Sequence, residues 1–264
     1  MRCVYRQNYY MNSKYILTNE TKTVFGIKLF RIKARISFGN VKEGELGGFV
    51  EKEANLSDVG TSWVYGNARV YGDAQVFGNA LVYDGARVYG DALVSGNARV
   101  YDGARVYGNA RVYDGARVYG DALVSGNAQV YDGARVYAKV RLQFGKTDFD
   151  VKLNLYGTIR NSIGAAAFLN RVILYKKVNK TDEISLFTSC YDGAFKYQVG
   201  KTAFAKECDE NWDRSCASGL HCSSPDYWNE GDTLLAVEVK LKDIICCQEG
   251  KVRCRKLKVL GVCK

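Results

Sequence analysis

The sequence predicts a mainly β chain in four parts. These are an N-terminal extension and β cap over residues 1–62, a β-helical solenoid over 63–140, a closing cap or linker over 141–170, and an α+β, cysteine-rich domain over 171–264. Three observations predict this. A six-residue unit of the form Ala-x-Val-Tyr-(Gly/Asp)-(Asn/Asp/Gly) repeats without a slip through residues 63–140. On either side of it, apolar residues alternate with polar ones in the manner of strands. Eight of the nine cysteines fall in residues 190–263, which sets the last part off from the rest.

The repeat dictates its own geometry. Valines recur every six residues from Val64 to Val136, and alanines keep the same spacing from Ala68 to Ala134. Within a unit Ala and Val stand two apart, so both face one side of a short extended segment while their neighbours face the other. The two remaining positions hold Gly-Asn, Gly-Asp or Asp-Gly, residues that tolerate the positive φ of a tight corner. Strands of about four residues joined by two-residue bends cannot fold back as hairpins with one constant pattern, but they can wind as a solenoid, each coil stacked on the last. A helix, with 3.6 residues per turn, cannot satisfy a period of six.

The pairs from Val64/Ala68 onward resemble the hexapeptide-repeat, left-handed parallel β-helix family, in which an aliphatic residue is followed four positions on by a small one. The resemblance implies three strands and eighteen residues per triangular coil, hence a little over four coils in residues 63–140. The chain departs from that family at the position after the aliphatic residue. Usually small or acidic there, it is Tyr or Phe in eleven of thirteen units.

Residues 1–10 are polar and tyrosine-rich without a period, and Met11-Asn12-Ser13-Lys14 reads as a second start, so the first ten are expected to be dispensable. Residues 15–18 and 28–38 are strand-like; in the latter, Ile32, Ala34 and Ile36 alternate with Arg31, Lys33 and Arg35, the mark of a half-buried strand. Residues 38–57, which include Gly47 and Gly48, resemble the segment that precedes such repeats in many phage proteins. They are the expected cap, because a solenoid with open backbone edges polymerises. After Val136 the pattern decays. The alternating Phe149, Val151, Leu153 and Leu155 predict one or two longer strands closing the far end, and residues 161–177 read as helix passing into strand. Further strands are expected at 195–200, 233–242 and 252–262, the last after a turn at 248–251. Short motifs in order (Cys216-Ala217-Ser218-Gly219-Leu220-His221, residues 234–239, Asp243-Ile244-Ile245 and residues 253–261) resemble the C-terminal part of the phage rII B lysis-control family. That resemblance implies a viral or prophage origin rather than a reaction.

Charge and targeting narrow the function classes. The net charge is +10, yet Lys and Arg outnumber Asp and Glu only 8 to 7 in residues 63–140, against 10 to 6 in 1–62 and 20 to 15 in 141–264. The solenoid is nearly neutral, its bend aspartates being expected to partner its strand arginines. No apolar signal core opens the chain, and no run approaches the ~20 apolar residues of a membrane span. A soluble protein of the cytoplasm, the host cytoplasm if viral, with reduced thiols and no membrane contact is therefore expected.

Enzymes of the hexapeptide-repeat family use a histidine as general base, and the solenoid carbonic anhydrases hold zinc on three histidines. This chain has one histidine, His221, so neither activity is expected, nor any cofactor. Gly219-Leu220-His221 ahead of a strand carrying Glu238 resembles the core of ADP-ribosyltransferases, while the plainer reading makes His221 a packed side chain. For zinc the candidate ligands are Cys208, Cys216, His221 and Cys222, with Cys246, Cys247 and Cys254 beyond them. No Cys-x-x-Cys pair occurs, which favours buried thiols.

The solenoid surface is the more informative candidate. At eighteen residues per coil one face stacks Tyr65, Tyr83, Arg99/Tyr101, Arg117/Tyr119 and Arg135/Tyr137. Flat aromatic faces with arginine are what protein interfaces favour, although such rungs can also simply stack on one another. The expected function is non-enzymatic: a β-helix scaffold that forms a homo-oligomer, a trimer most simply, or docks a host or viral protein. Binding of nucleic acid or a nucleotide is the alternative, on the strength of the basic charge and the stackable tyrosines.

Overall fold

The computed structural model describes residues 13–214 and 216–263, so the expectation for residues 1–10 lies outside the described residues. Among the described residues the chain is mainly β, with one α-helix. It opens with three antiparallel strands, β1 (Tyr15–Val24), β2 (Ile27–Ala34) and β3 (Leu46–Val50). β3 then becomes the first parallel rung, pairing Phe49 with Arg69 and Val50 with Val70. Of the residues expected to face inward on the second strand, Ile32 and Ala34 are buried, but Ile36 is 49% exposed because β2 ends at Ala34.

From there the backbone winds as a β-solenoid with three parallel sheets. One sheet stacks six rungs: β3, then Arg69–Val70, Arg87–Val88, Arg105–Val106, Leu123–Val124 and Arg141–Leu142. The other two stack five strands each, and a bridged residue adds a sixth rung to each, Leu56 beside Val76 and Asp150 beside Arg135. Three sheets of six rungs make about six turns. The ladder thus outruns the perfect repeat at both ends, where the coils stack on residues that no longer obey the six-residue pattern.

The regular strands are two residues long rather than four, yet the hydrogen bonds flank them on both sides. Trp63 N donates to Ala80 O at 3.0 Å and Tyr65 N to Val82 O at 2.8 Å, one coil on. Every repeat valine from Val64 to Val136, and every alanine from Ala68 to Ala134, is buried at 0–1% exposure. The corners take positive φ at their first position whichever residue stands there: Gly96 at 61°, Asp102 at 56° and Asp114 at 54°. Corner aspartates do not pair with the strand arginines as expected. Among the described residues the corner aspartate in an ion pair is Asp73, held at 2.7 Å by Lys52 of the cap. Corner and flat face project in different directions, so Asp and Arg side chains diverge.

Both ends are closed by buried asparagines. At the N-terminal end Asn55, 0% exposed, accepts from Lys52 N (2.9 Å) and donates to Gly72 O (3.0 Å) and Ala74 O (2.8 Å). Above the first coil lie Trp63 and the backbone of Gly47 and Gly48. A Cβ at Gly47 would stand 2.5 Å from Ile32 and 2.7 Å from the Trp63 ring, so only glycine lets β3 cross there. At the far end the expected strands are replaced by α1 (Leu155–Ile163). Asn154 Oδ1 caps it by accepting from Gly157 N at 2.9 Å, and Gly164 ends it in the left-handed region. The alternation of Val151, Leu153 and Leu155 stops being a strand signal at that cap. Leu153 is 86% exposed, and the apolar spacing becomes four, through Leu155, Ile159 and Ile163. Asn161 of α1 donates to Lys146 O and to Thr147 Oγ1, both at 2.8 Å.

The described residues of 171–263 form a β unit rather than the expected α+β one: a single antiparallel sheet with two short 3-10 turns, the α-helix lying before it. The Arg171–Lys180 strand runs through its middle, flanked by Thr233–Lys240 on one side and Leu220–Ser223 on the other. The expected strand over 252–262 is two strands, Lys251–Cys254 and Lys256–Val262, broken at Arg255. Trp212, Ile245 and Cys246 pack into the solenoid core while Ile159 of α1 packs into the C-terminal core, so the helix is a wall common to both. Among the described residues no helix is long and apolar enough to cross a membrane.

Candidate functional site

The stacking of outward tyrosines follows directly from the coil register. Arg99 pairs with Arg117 and Arg117 with Arg135, so the residues two positions on must also lie one above another. Tyr83, Tyr101, Tyr119 and Tyr137 form a continuous stack with ring centroids 4.8, 5.0 and 5.2 Å apart and planes inclined by 1°, 2° and 17°. Arg99, Arg117 and Arg135 make an exposed column beside it. Tyr65 does not join the stack; its ring meets Trp63 edge-on at 6.5 Å. The top of the stack is tied down where Tyr137 OH donates to Asp150 Oδ1 at 2.9 Å. Burial raises the ionisation range of Tyr83, Tyr101 and Tyr119, and burial together with the Asp150 bond raises that of Tyr137.

Shorter stacks stand on the other sheets, Tyr71–Tyr89–Tyr107 and Tyr113–Tyr131. The first of these is roofed by the N-terminal hairpin, since Tyr71 is 6% exposed and packs with Val24, Leu29 and Phe49. The sheet carrying Tyr83 to Tyr137 keeps its arginine column exposed.

The cysteine and histidine candidates are not brought together. His221 and Cys222 are consecutive on one strand, so their side chains leave opposite faces. Cys222 is fully buried beside Cys254, whose thiol is held protonated by its bond to Cys222 and by burial. Cys208 is half-buried against the solenoid core, whereas Cys216 is exposed with Lys251 Nζ 3.0 Å from its sulfur. Among the described residues no three His, Cys, Asp or Glu side chains form a metal-holding group. Cys247 is buried outright, its thiol pushed up to about 12 by that burial. His221 and Glu238, the two residues of the nucleotide-transfer reading, line different cavities, and Glu238 is engaged by Arg171 at 3.1 Å.

A cavity of about 340 Å³ in the C-terminal unit was not visible in the sequence. It lies where the Leu186–Ser189 and Lys196–Gln198 hairpin and the 3-10 turn Pro225–Tyr227 meet the central strand. Phe195, Tyr197, Tyr227 and Trp228 supply aromatic wall, and Lys176 is the buried basic side chain. One signal could have found it. In the Arg171–Lys180 strand, Val172, Leu174, Lys176 and Val178 share the inward phase, so the pattern places a lysine among core positions.

Residues 64–76, 74–90, 86–102, 104–118 and 116–132 match the family described as the YdcK beta solenoid repeat. No curated protein is a significant match to the chain. The matched segments fall on the perfect hexapeptide units and leave the caps and the C-terminal unit outside. Over that stretch the chain is similar to YdcK-type β-solenoid repeats, and its fold is a repeat β-helix of about six turns.

Proposed function

We propose that the chain is a non-catalytic scaffold whose Tyr83–Tyr137 face associates with the same face of further copies, a trimer being the simplest closed arrangement. The observation that carries this reading is the four-ring tyrosine stack with its exposed arginine column, on a sheet the N-terminal hairpin does not roof. Aromatic rings with arginine are the residues that dominate buried protein interfaces. Closed ends leave the flat sides as the surfaces through which copies can meet. Nucleic acid is a weaker occupant, because tyrosines stacked ring on ring offer edges rather than the open π-faces on which bases stack.

The resemblance of residues 216–261 to phage lysis-control proteins motivates the rest of the proposal, a virus-encoded protein acting in the cytoplasm of its host. Light scattering at high protein concentration tests the scaffold reading. A trimer that becomes a monomer on Tyr101→Ser with Arg117→Glu supports it, and a monomeric parent protein refutes it.

A further inference from the structure

Lys176 is 4% exposed and sits on the central strand of the C-terminal sheet. Its Nζ donates to His221 O at 3.1 Å and lies 5.4 and 5.2 Å from the ring centroids of Tyr197 and Trp228. Among the described residues no carboxylate comes within ion-pair distance of it. The titratable groups around it are the thiols of Cys190, Cys222 and Cys254 and the phenol of Tyr197, with His221, Asp192 and Lys251 also lining the cavity. Burial favours its neutral form and so lowers its ionisation range.

The cavity beside it has a wall and a rim of different character. Trp228 is fixed by Nε1 donating to Tyr175 O at 3.0 Å, with Tyr227 edge-on to it at 5.1 Å, so the aromatic wall is preformed. At the rim Lys251 brings a second cation, its Nζ 3.0 Å from Cys216 Sγ. The lining carboxylate, Asp192, accepts Ala194 N at 3.1 Å within its own turn. A volume of about 340 Å³ suits a one- or two-ring compound.

We propose that this cavity binds a flat aromatic carboxylate, its ring against Phe195, Tyr227 and Trp228 and its carboxylate serving as the missing counter-ion of Lys176. The ring buries apolar surface on a wall that costs little to order. The acid group gives the desolvated Lys176 an anionic partner beside its bond to His221 O. Because the anion favours protonated Lys176, binding is linked to proton uptake and weakens as pH rises.

The test uses the full chain with 2-naphthoate and its neutral analogue 2-naphthamide, read by tryptophan fluorescence and titration calorimetry. The carboxylate is expected to bind at least tenfold more tightly than the amide at pH 7, and that ratio should fall as pH rises toward the ordinary range of a lysine. Lys176→Met should bring the two affinities together, and Trp228→Phe should remove the fluorescence change. Equal affinities in the parent protein, no binding of either compound, or a ratio unmoved by pH would each overturn the proposal. The parent measurements need no variant, so they decide the matter even where Lys176→Met fails to fold.

Discussion

Gly96→Ala is expected to damage the solenoid well beyond Gly66→Ala, although both replace a corner glycine. The two share one cost. Gly66 has φ 55° and Gly96 φ 61°, in the left-handed region where a side chain costs about 1–2 kcal/mol, partly offset by a stiffer unfolded chain. They differ in what the new methyl meets. At Gly66 nothing lies within 4 Å, whereas at Gly96 the Cβ would stand 2.7 Å from Asp114 N and 2.9 Å from Asp114 Cα. Those are backbone atoms of the next coil, which cannot swing aside as a side chain can. Relief means prising two coils apart beside the Ser95 N to Val112 O bond, now 2.9 Å, and overpacking of this kind costs about 1–3 kcal/mol more. At about 2–4 °C per kcal/mol for a chain of this size, Gly66→Ala should lower the melting temperature by a few degrees. Gly96→Ala should lower it by roughly two to three times as much. Thermal melts by far-UV circular dichroism, with urea unfolding as a check, measure the pair. Equal losses would mean that coils at the corners are not in contact as described, and the stacking argument would fail with them.

Three further expectations rest on other parts of the molecule. Val100, fully buried between Val82 and Val118, should not tolerate Val100→Asp, an unpaired charge costing several kcal/mol. Tyr101→Ser, which removes two ring stacks of about 0.5–1.5 kcal/mol each, should stay folded, and equal damage in a circular dichroism melt would invert inside and outside. The fold should lose stability in alkali: burial raises the ionisation range of Tyr83, Tyr89, Tyr101 and Tyr119, so above pH 10 the unfolded chain gives up protons first. The stability those phenols contribute is complete below pH 10 and drains as pH climbs through their raised values. Urea midpoints at pH 8 to 11.5 should therefore fall, and less so in Tyr101→Phe. Asn55→Ala and Asn161→Ala should each cost about 1–3 kcal/mol by orphaning buried backbone groups. Hydrogen exchange should then quicken in the terminal coil next to the change and not in the middle coils.

How much of this was legible in the sequence depended on how local the cause was. The solenoid was readable because one six-residue unit carries its own inside, outside and corner, and neighbouring coils only repeat the message. The Gly47-Gly48 crossing was readable as a cap, though not as a close approach, since Ile32 and Trp63 come to it from elsewhere in the chain. The helix at 155–163 was misread because Val151, Leu153 and Leu155 alternate up to the Asn154 cap, and only the spacing beyond it reveals a helical period. For the candidate sites the contrast is sharper. The tyrosine stack follows from register alone, whereas the lysine cavity assembles Lys176, Tyr197 and Trp228 from three elements. His221 and Cys222 part because neighbours on one strand leave opposite faces, whereas His221 and Glu238 stand on strands that the Arg171–Lys180 strand separates and line different cavities.

The constancy of the coil makes the molecule a ruler with a dial attached. Removing six residues from the perfect units would leave valine over valine, but would turn the C-terminal unit by a third of a circle about the long axis, because there are three sheets. Removing eighteen would restore its heading and draw it in by a single strand spacing, about 4.8 Å. Length and bearing of the terminal unit are thus set in discrete steps by how many units the gene spells out, and recombination between matching units could reset both while leaving valine over valine in the coils that remain.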